Sequence, residues 1–350
     1  MSNVLITGST GLVGSESVKF FCRKGFDVLG IDNNFRKFFF GKDGDTVWVK
    51  KKLNDKFKNY KHHNIDIRNL DKLESLFKKY KKNIKLIIHS AAQPSHDWAA
   101  TNPLVDFEIN ARGTLNLLEL TVKYCPSATF IFMSTNKVYG DNPNKLKLIE
   151  KKTRFELNKT NKYYKGIDET MSIDDNTHSL FGVSKSYGDL LVQEYGKNFG
   201  LNTACFRAGC ITGPNHSGAK LHGFLSYLVK SSLTKKKYTI IGYKGKQVRD
   251  NIHSNDLVEC FWNFFKKPRK GEIYNVGGCR YSNCSIIEAL EYTEKIAGIN
   301  IKKKIEKQNR VGDHIWYVSS MKKFKKHYPD WSHKYSTKRI IEELVSSIKF

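Results

Sequence analysis

No run of apolar residues in this 350-residue chain is long enough to cross a bilayer. The sequence reads as a strand within a few residues of Met1, which leaves no room for a signal peptide. Both absences lead to the expectation of a soluble, cytoplasmic protein. None of the seven cysteines (Cys22, Cys125, Cys205, Cys210, Cys260, Cys279, Cys284) forms a C-x-x-C pair. They are expected to be reduced packing residues rather than disulfide staples or zinc ligands. His62-His63 has no partner at metal spacing, so no metal is expected. Internal repeats and low-complexity linkers are absent too.

Acidic residues are scarce. Only 34 Asp and Glu stand against 60 Lys and Arg, for a net charge of +26. Such a surplus invites a nucleic-acid reading. The lysines are scattered, however, in short runs such as 50–52, 235–237 and 302–304, and Phe, Tyr, Ile and Asn are abundant, as in an A/T-biased coding sequence. Solvated lysine faces account for the charge, and neither nucleic acid nor membrane is an expected partner. The positive field would still draw in an anionic nucleotide.

What is present is more specific. Val4-Leu5-Ile6 reads as a buried strand that runs into Thr7-Gly8-Ser9-Thr10-Gly11-Leu12-Val13-Gly14. A helix follows from Leu12 to Lys24, stopped at Gly25. Glycines at such a turn let the backbone approach a pyrophosphate, whose charge the helix N-terminus favours. The next strand, 26–31, ends in Asp32-Asn33. A carboxylate there accepts from a ribose 2′-hydroxyl and repels a 2′-phosphate, so the pattern predicts NAD rather than NADP.

Residues 33–59 read as a long, irregular, basic stretch with Phe38-Phe39-Phe40 and Trp48. Those aromatics either cover a cofactor or substrate base or anchor the loop to the core. A strand is expected over 62–67, and it brings Asp66 to the exocyclic amine of adenine, with Ile67 beside it in the cofactor site. Helical spacing predicts an amphipathic crossover over 69–80. A strand over 86–89 leads into Ser90-Ala91-Ala92-Gln93, whose small side chains let the backbone lie against the cofactor. A long helix over 106–123 carries Asn110 and Gly113, a strand covers 129–133, and a helix and strand follow at 187–199 and 203–206. The alternation predicts an α/β, doubly wound, Rossmann-type parallel sheet. After Gly213 the regularity is lost. The expected division is an NAD-binding domain over 1–210, to which 245–280 contributes back, and a smaller substrate-binding lobe over 211–350.

Ser134-Thr135-Asn136-Lys137-Val138-Tyr139-Gly140 closes the fifth strand, and His178-Ser179-Leu180-Phe181-Gly182-Val183-Ser184-Lys185 follows downstream. With these runs the chain resembles, over nearly its whole length, the extended short-chain dehydrogenase/reductase family of nucleotide-sugar enzymes. Thr135 to Asp141 and Gly245 to Asp250 are most similar to the group that epimerises CDP-linked deoxyhexoses of the paratose/tyvelose type at C2. The resemblance implies NAD, a nucleotide-diphosphate sugar as substrate, a transient keto sugar and a homodimer built on 106–123 and 187–199.

It also implies roles for single residues. Thr135 would bond the sugar oxygen being oxidised, and Lys185 would hold the nicotinamide ribose and lower the pKa of a tyrosine four residues earlier. That position is Phe181, which carries no proton. Three explanations stand open: a neighbour (His178, Tyr187, Lys137, Tyr163 or Tyr164) supplies the base, the chemistry differs, or the protein binds its sugar without turning it over. Asn136 and Lys137 occupy the places of the acid pair of the related 4,6-dehydratases, so dehydration is disfavoured. Arg249 and Arg310 match positions that grip the substrate diphosphate, with ion pairs to Asp256 and Asp313 as the respective alternatives. Cys210 stands where relatives carry a substrate-touching polar residue, and His216 is expected in the sugar pocket.

Overall fold

The computed structural model describes residues 2–216, 223–306 and 312–347. Its first strand, β1 (Asn3–Thr7), leads through the glycine turn into α1 (Leu12–Arg23) and back to β2 (Asp27–Ile31). The stretch expected to be irregular holds two helices, α2 (Arg36–Phe40) and α3 (Val47–Lys56). Phe35, Phe38 and Phe39 form one aromatic cluster with Trp98, in which Phe39 and Trp98 lie 4.8 Å apart edge to face. Part of that aromatic set therefore anchors the segment. The expected strand over 62–67 is displaced: β3 is Tyr60–His63, and Asp66-Ile67 lie beyond its end.

Next come α4 (Leu70–Tyr80), with Asn69 accepting from Lys72 N as its cap, β4 (Ile84–His89), α5 (His96–Thr101), α6 (Pro103–Phe107), a π-helical turn at Glu108–Arg112, α7 (Gly113–Tyr124) and β5 (Thr129–Thr135). A short hairpin, β6 (Leu148–Glu150) and β7 (Phe155–Leu157), precedes α8 (Leu180–Lys197), which starts seven residues before the expected 187. Ser179 caps α8 by accepting from Gly182 N. The chain continues with β8 (Asn202–Ala208), β9 (Cys210–Thr212), α9 (Phe224–Leu233), β10 (Tyr238–Ile241), β11 (Val248–His253), α10 (Ser254–Lys266) and β12 (Glu272–Val276). It ends with β13 (Asn283–Ser285), α11 (Ile286–Ala297), β14 (Lys303–Glu306), β15 (Trp316–Tyr317), α12 (Lys322–His327) and α13 (Thr337–Ser347).

Seven strands form the main sheet in the order β12-β8-β5-β4-β1-β2-β3. β1 runs parallel to β2 and β4, β2 to β3, and β4 to β5. This is the doubly wound Rossmann-type fold, and its order reverses between β1 and β4. A crevice opens at such a switch point, beyond the carboxyl ends of the strands. The register brings three of those ends level, because Thr7 pairs with both Ile31 and His89. Gly8, Asp32 and Ser90 thus emerge side by side. His89 Nδ1 lies 2.7 Å from Thr7 Oγ1 and Nε2 lies 3.0 Å from Thr114 Oγ1, so this buried imidazole ties the level to α7. Burial holds its pKa well below the usual value. Leu5, Ile87, Phe130 and Cys205 of the strands pack with Leu73, Phe77, Leu117 and Val192 of the helices in one core.

Two compact units interleave along the chain. One comprises Met1–Val138, Ser179–Arg207 and Val258–Tyr274; the other comprises Tyr139–His178, Ala208–Leu257 and Asn275–Phe350. Where a single cut at residue 210 with a return over 245–280 is expected, the units change over after residues 138, 178, 207, 257 and 274. In the second unit β11 is flanked by β9, β13 and β15. A separate core there joins Leu225, Leu228, Leu290, Ile340 and Leu344.

Candidate active site

Steric limits build the turn after β1. Gly8 has φ +67°, and a Cβ on it would lie 2.8 Å from Ala91 N. A Cβ on Gly14 would lie 2.0 Å from Gly8 O, so α1 can approach the strand only with glycine there. Gly11 starts α1 without a side-chain cap. The first-turn amides, including those of Leu12 and Val13, have no carbonyl behind them in the helix, and they carry its positive end. This is a cradle that side chains would fill and that suits a pyrophosphate.

Asp32 faces the cradle with both carboxylate oxygens oriented. Oδ2 accepts from Thr10 N at 3.0 Å and Oδ1 from Asn34 N at 2.7 Å. Asn33 Nδ2 donates to Asp66 Oδ2 at 3.1 Å, and Arg68 pairs with the same oxygen at 2.6 Å. Burial works against the ionised Asp66, but the hydrogen bonds from Arg68 outweigh it and hold the carboxyl below its usual range. Ile67 is buried, and its carbonyl accepts from Asn116 Nδ2.

Beyond β4, Ala91 N donates to Thr7 Oγ1 at 3.2 Å. Ala91 and Ala92 lead to the buried Gln93, whose N donates to Asn110 Oδ1 and whose Nε2 donates to Asp106 Oδ1, each at 3.0 Å. Asn110 sits in the π-helical turn, and its Nδ2 has Gln93 O, Asp106 Oδ1 and Ser184 Oγ within hydrogen-bond distance, at 3.0, 3.0 and 3.1 Å. The widened turn aims the amide at the strand ends; π-turns recur at functional sites for such re-aiming. Burial pushes the Asp106 carboxyl up to about 6, against the pull of Ser184, Lys185 and Asn110.

Thr135 ends β5. Its Oγ1 accepts from Lys137 N at 3.2 Å and donates to Asn136 Oδ1 at 3.4 Å, so the hydroxyl also caps the turn that follows. Lys185 is buried on α8. Its Nζ donates to Met133 O at 2.7 Å and lies 4.0 Å from the centroid of the Phe132 ring. Burial lowers its ammonium to about 8 while Asp189, Cys205 and Asp106 pull the other way. Asp189 pairs with Arg207 at 2.8 Å and accepts from Ser134 Oγ, which locks α8 to the end of β5.

Residues 4–277 match the NAD dependent epimerase/dehydratase family. The chain is 30% identical to a CDP-paratose 2-epimerase of Salmonella typhi, over 97% of each sequence. Its fold is similar to that of a UDP-glucose 4-epimerase from Bifidobacterium longum solved with NAD+ and UDP (TM-score 0.79, 20% identity, 99% of this chain and 98% of the other). A dTDP-glucose 4,6-dehydratase from Bacillus anthracis, solved with NAD, gives a TM-score of 0.76 at 23% identity, over 99% of this chain and 96% of the other. The chain belongs to the NAD dependent epimerase/dehydratase family.

NAD is therefore the cofactor, and the cradle between Gly8 and Asp32 fits it. Phe181 stands where the resemblance implies a tyrosine. Its ring is buried one helical turn before Lys185, edge on to His96 at 5.0 Å between centroids. Spacing in sequence pointed away from His96, which lies 85 positions upstream of Phe181. Of the sequence-based candidates, Tyr187 lies six residues along α8, about a third of a turn round from Phe181. It is exposed and packs on Phe107.

In the second unit Arg249 is buried on β11. Its Nη2 pairs with Asp313 Oδ1 at 2.6 Å and its Nη1 donates to Val248 O at 2.8 Å. The expected ion-pair partner, Asp256, instead accepts from the backbone of Lys334 and Tyr335. Its place at the start of α10 points it toward the α13 approach rather than along β11. Cys210 is half-buried on β9, opposite Asn251. His216 lies against Gly223, with Nδ1 3.3 Å from Ser226 Oγ. Arg310 lies outside the described residues. Among those residues no group of three His, Cys, Asp or Glu could hold a metal, and no helix is long and apolar enough to cross a membrane.

Proposed function

We propose that this chain is an NAD-dependent nucleotide-sugar epimerase that inverts C2 of a CDP-linked deoxyhexose of the paratose/tyvelose type. The observation that carries the reading is the end of β5, where the Thr135 hydroxyl is flanked by Asn136 and Lys137. An amide and an ammonium supply no carboxyl pair to eliminate water from the sugar, so a keto sugar formed there has only reduction open to it. The 30% identity along the whole length of a CDP-paratose 2-epimerase favours C2 and cytidine. Bound NAD supplies a reversible hydride acceptor. The protein residues orient and exclude water: Gly8, Gly11, Leu12, Val13 and Gly14 hold the diphosphate; Asp32 and Asn33 the adenosine ribose; Asp66 and Ile67 the adenine. Ala91, Ala92, Gln93 and Asn110 line the central path, and Lys185 holds the nicotinamide ribose. Thr135 bonds the reacting oxygen. In the second unit the resemblance assigns Arg249 and Arg310 to the sugar diphosphate and Cys210 and His216 to the sugar.

Two copies of the chain pair through α8. Leu180, Val183, Tyr187 and Leu190 recur at three- and four-residue spacing and are exposed, as are Leu104 and Phe107. Light scattering on a charge variant of this face, Val183→Glu, reads the pairing directly: a monomer is expected in place of a dimer.

The central test incubates the protein with CDP-paratose, CDP-glucose, and GDP- and UDP-hexoses while the C2 proton is followed by NMR. Inversion at C2 of the CDP-deoxyhexose, without free NADH, is expected. Net NADH release would make the chain an oxidoreductase. Tight binding with no turnover of any sugar would make it a binding protein, the reading that Phe181 favours.

A further inference from the structure

The proposed inversion needs a group that takes the proton of the sugar hydroxyl and later returns it, and Phe181 cannot. We propose that His96 is that group. The inference rests on the epimerase reading and adds the identity of its acid–base residue.

His96 opens α5, three residues after Gln93 in the segment that leaves β4. It is half-buried. Its ring meets that of Phe181 edge to face at 5.0 Å, and its Nδ1 lies 2.6 Å from Ser179 Oγ. Ser179 is the cap of α8 and accepts from Gly182 N at 3.1 Å. The imidazole is thus fastened to the same helical turn that carries Phe181, one turn before Lys185. The apolar ring at 181 supports a neighbouring imidazole by packing, where a phenol would compete with it for the same proton.

The chemistry is also better matched. An ordinary imidazole titrates near 6.5 and an ordinary phenol near 10, so at neutral pH imidazole accepts a proton without first being made anionic. With Nδ1–H donated to the second lone pair of Ser179 Oγ, Nε2 carries the basic pair. In the forward step the sugar O–H bond breaks and its proton bonds to Nε2. The oxygen's pair closes the C=O bond, and the carbinol C–H pair leaves as hydride for the nicotinamide dinucleotide. In the return step the hydride adds to the opposite face and the Nε2 proton goes back to oxygen. Protein and cofactor end unchanged. Ser179 is a positioning residue that sets the tautomer.

The test has two arms. In the first, the NAD-loaded protein labelled with 15N-histidine is examined near pH 8 by long-range 1H–15N NMR, with His96→Gln used for assignment. A protonated Nδ1 and an unprotonated Nε2 are expected, and Ser179→Ala should move the proton toward Nε2. A proton found on Nε2 in the wild type overturns the assignment whether or not a substrate is known. In the second arm, His96→Gln should lower kcat by roughly 10²- to 10⁴-fold, the usual worth of a general base, with NAD content and Tm unchanged. The double variant His96→Gln/Phe181→Tyr should regain activity, because a tyrosine above Lys185 restores a base. A wild-type rate in His96→Gln overturns the proposal. A wild type that inverts no nucleotide sugar sinks the epimerase reading instead, and the tautomer then decides on His96 alone.

Discussion

The dinucleotide cradle and the proton-transfer corner belong to the same unit and are built in opposite ways. The cradle draws on residues 7–14 and 32, and its contacts are mostly backbone. Its demands are negative ones, since a side chain on Gly8 or Gly14 would collide with main-chain atoms. The proposed corner draws on His96, Thr135, Ser179 and Lys185 from three separated stretches; the contacts of His96 and Lys185 are side-chain hydrogen bonds and ring packing. A backbone site of the first kind tolerates little change of sequence. On the proposal above, a side-chain site of the second kind can lose one member, as at Phe181, because a neighbouring imidazole lies against it.

Four measurements break or sharpen that contrast. The largest effect is expected where the corner is locked. Asp189→Ala removes the carboxylate that the buried Arg207 pairs with and frees Ser134. It should cost about 3–5 kcal/mol in urea unfolding, and adding Arg207→Met should recover part of the loss. Next comes the cradle: Gly14→Val forces branched carbon against the Gly8 carbonyl. A loss of about 1–3 kcal/mol and purification without NAD, read as nucleotide released on denaturation, are expected.

The third measurement separates side chain from backbone inside the cradle. Asp32→Ser should weaken NAD by roughly 10- to 100-fold, the worth of one hydrogen bond to a charged group, and should narrow the preference over NADP in calorimetry. The fourth effect is a slope rather than a step. Burial brings Lys185 from 10.5 to about 8. Between those values the unfolded chain binds more protons than the folded one, so stability rises with pH across that window. The wild type should therefore gain stability relative to Lys185→Met from about pH 8 to about pH 10.5, with a constant difference below pH 8. A difference that stays flat throughout would mean that the amine reaches water.

The cradle was legible in the sequence because its information is local. Strand, glycine turn, helix and acid lie in register within 32 residues, and each carries its own steric or electrostatic reason. Thr135 and Lys185 were singled out through resemblance and a four-residue helical spacing, and they stand at the end of β5 and buried on α8. The helices at 36–40 and 47–56 were not legible, because their basic and aromatic residues carry little apolar periodicity and packing on Trp98 orders the first of them. The π-turn around Asn110 was hidden inside an apparently continuous helix. His96 was hidden because nothing in its local sequence refers to residue 181.

The order of residues by itself determined the Rossmann-type sheet, the glycine turn after β1 and NAD as the cofactor, since periodicity, glycine sterics and one carboxylate act over short stretches of chain. Only the tertiary structure decided that Arg249 meets Asp313, that Asp189 locks α8 to β5, and that an imidazole lies against Phe181. Those contacts join residues 18 to 85 positions apart, and side chains so separated meet only when packed helices and strands have already fixed where each one points.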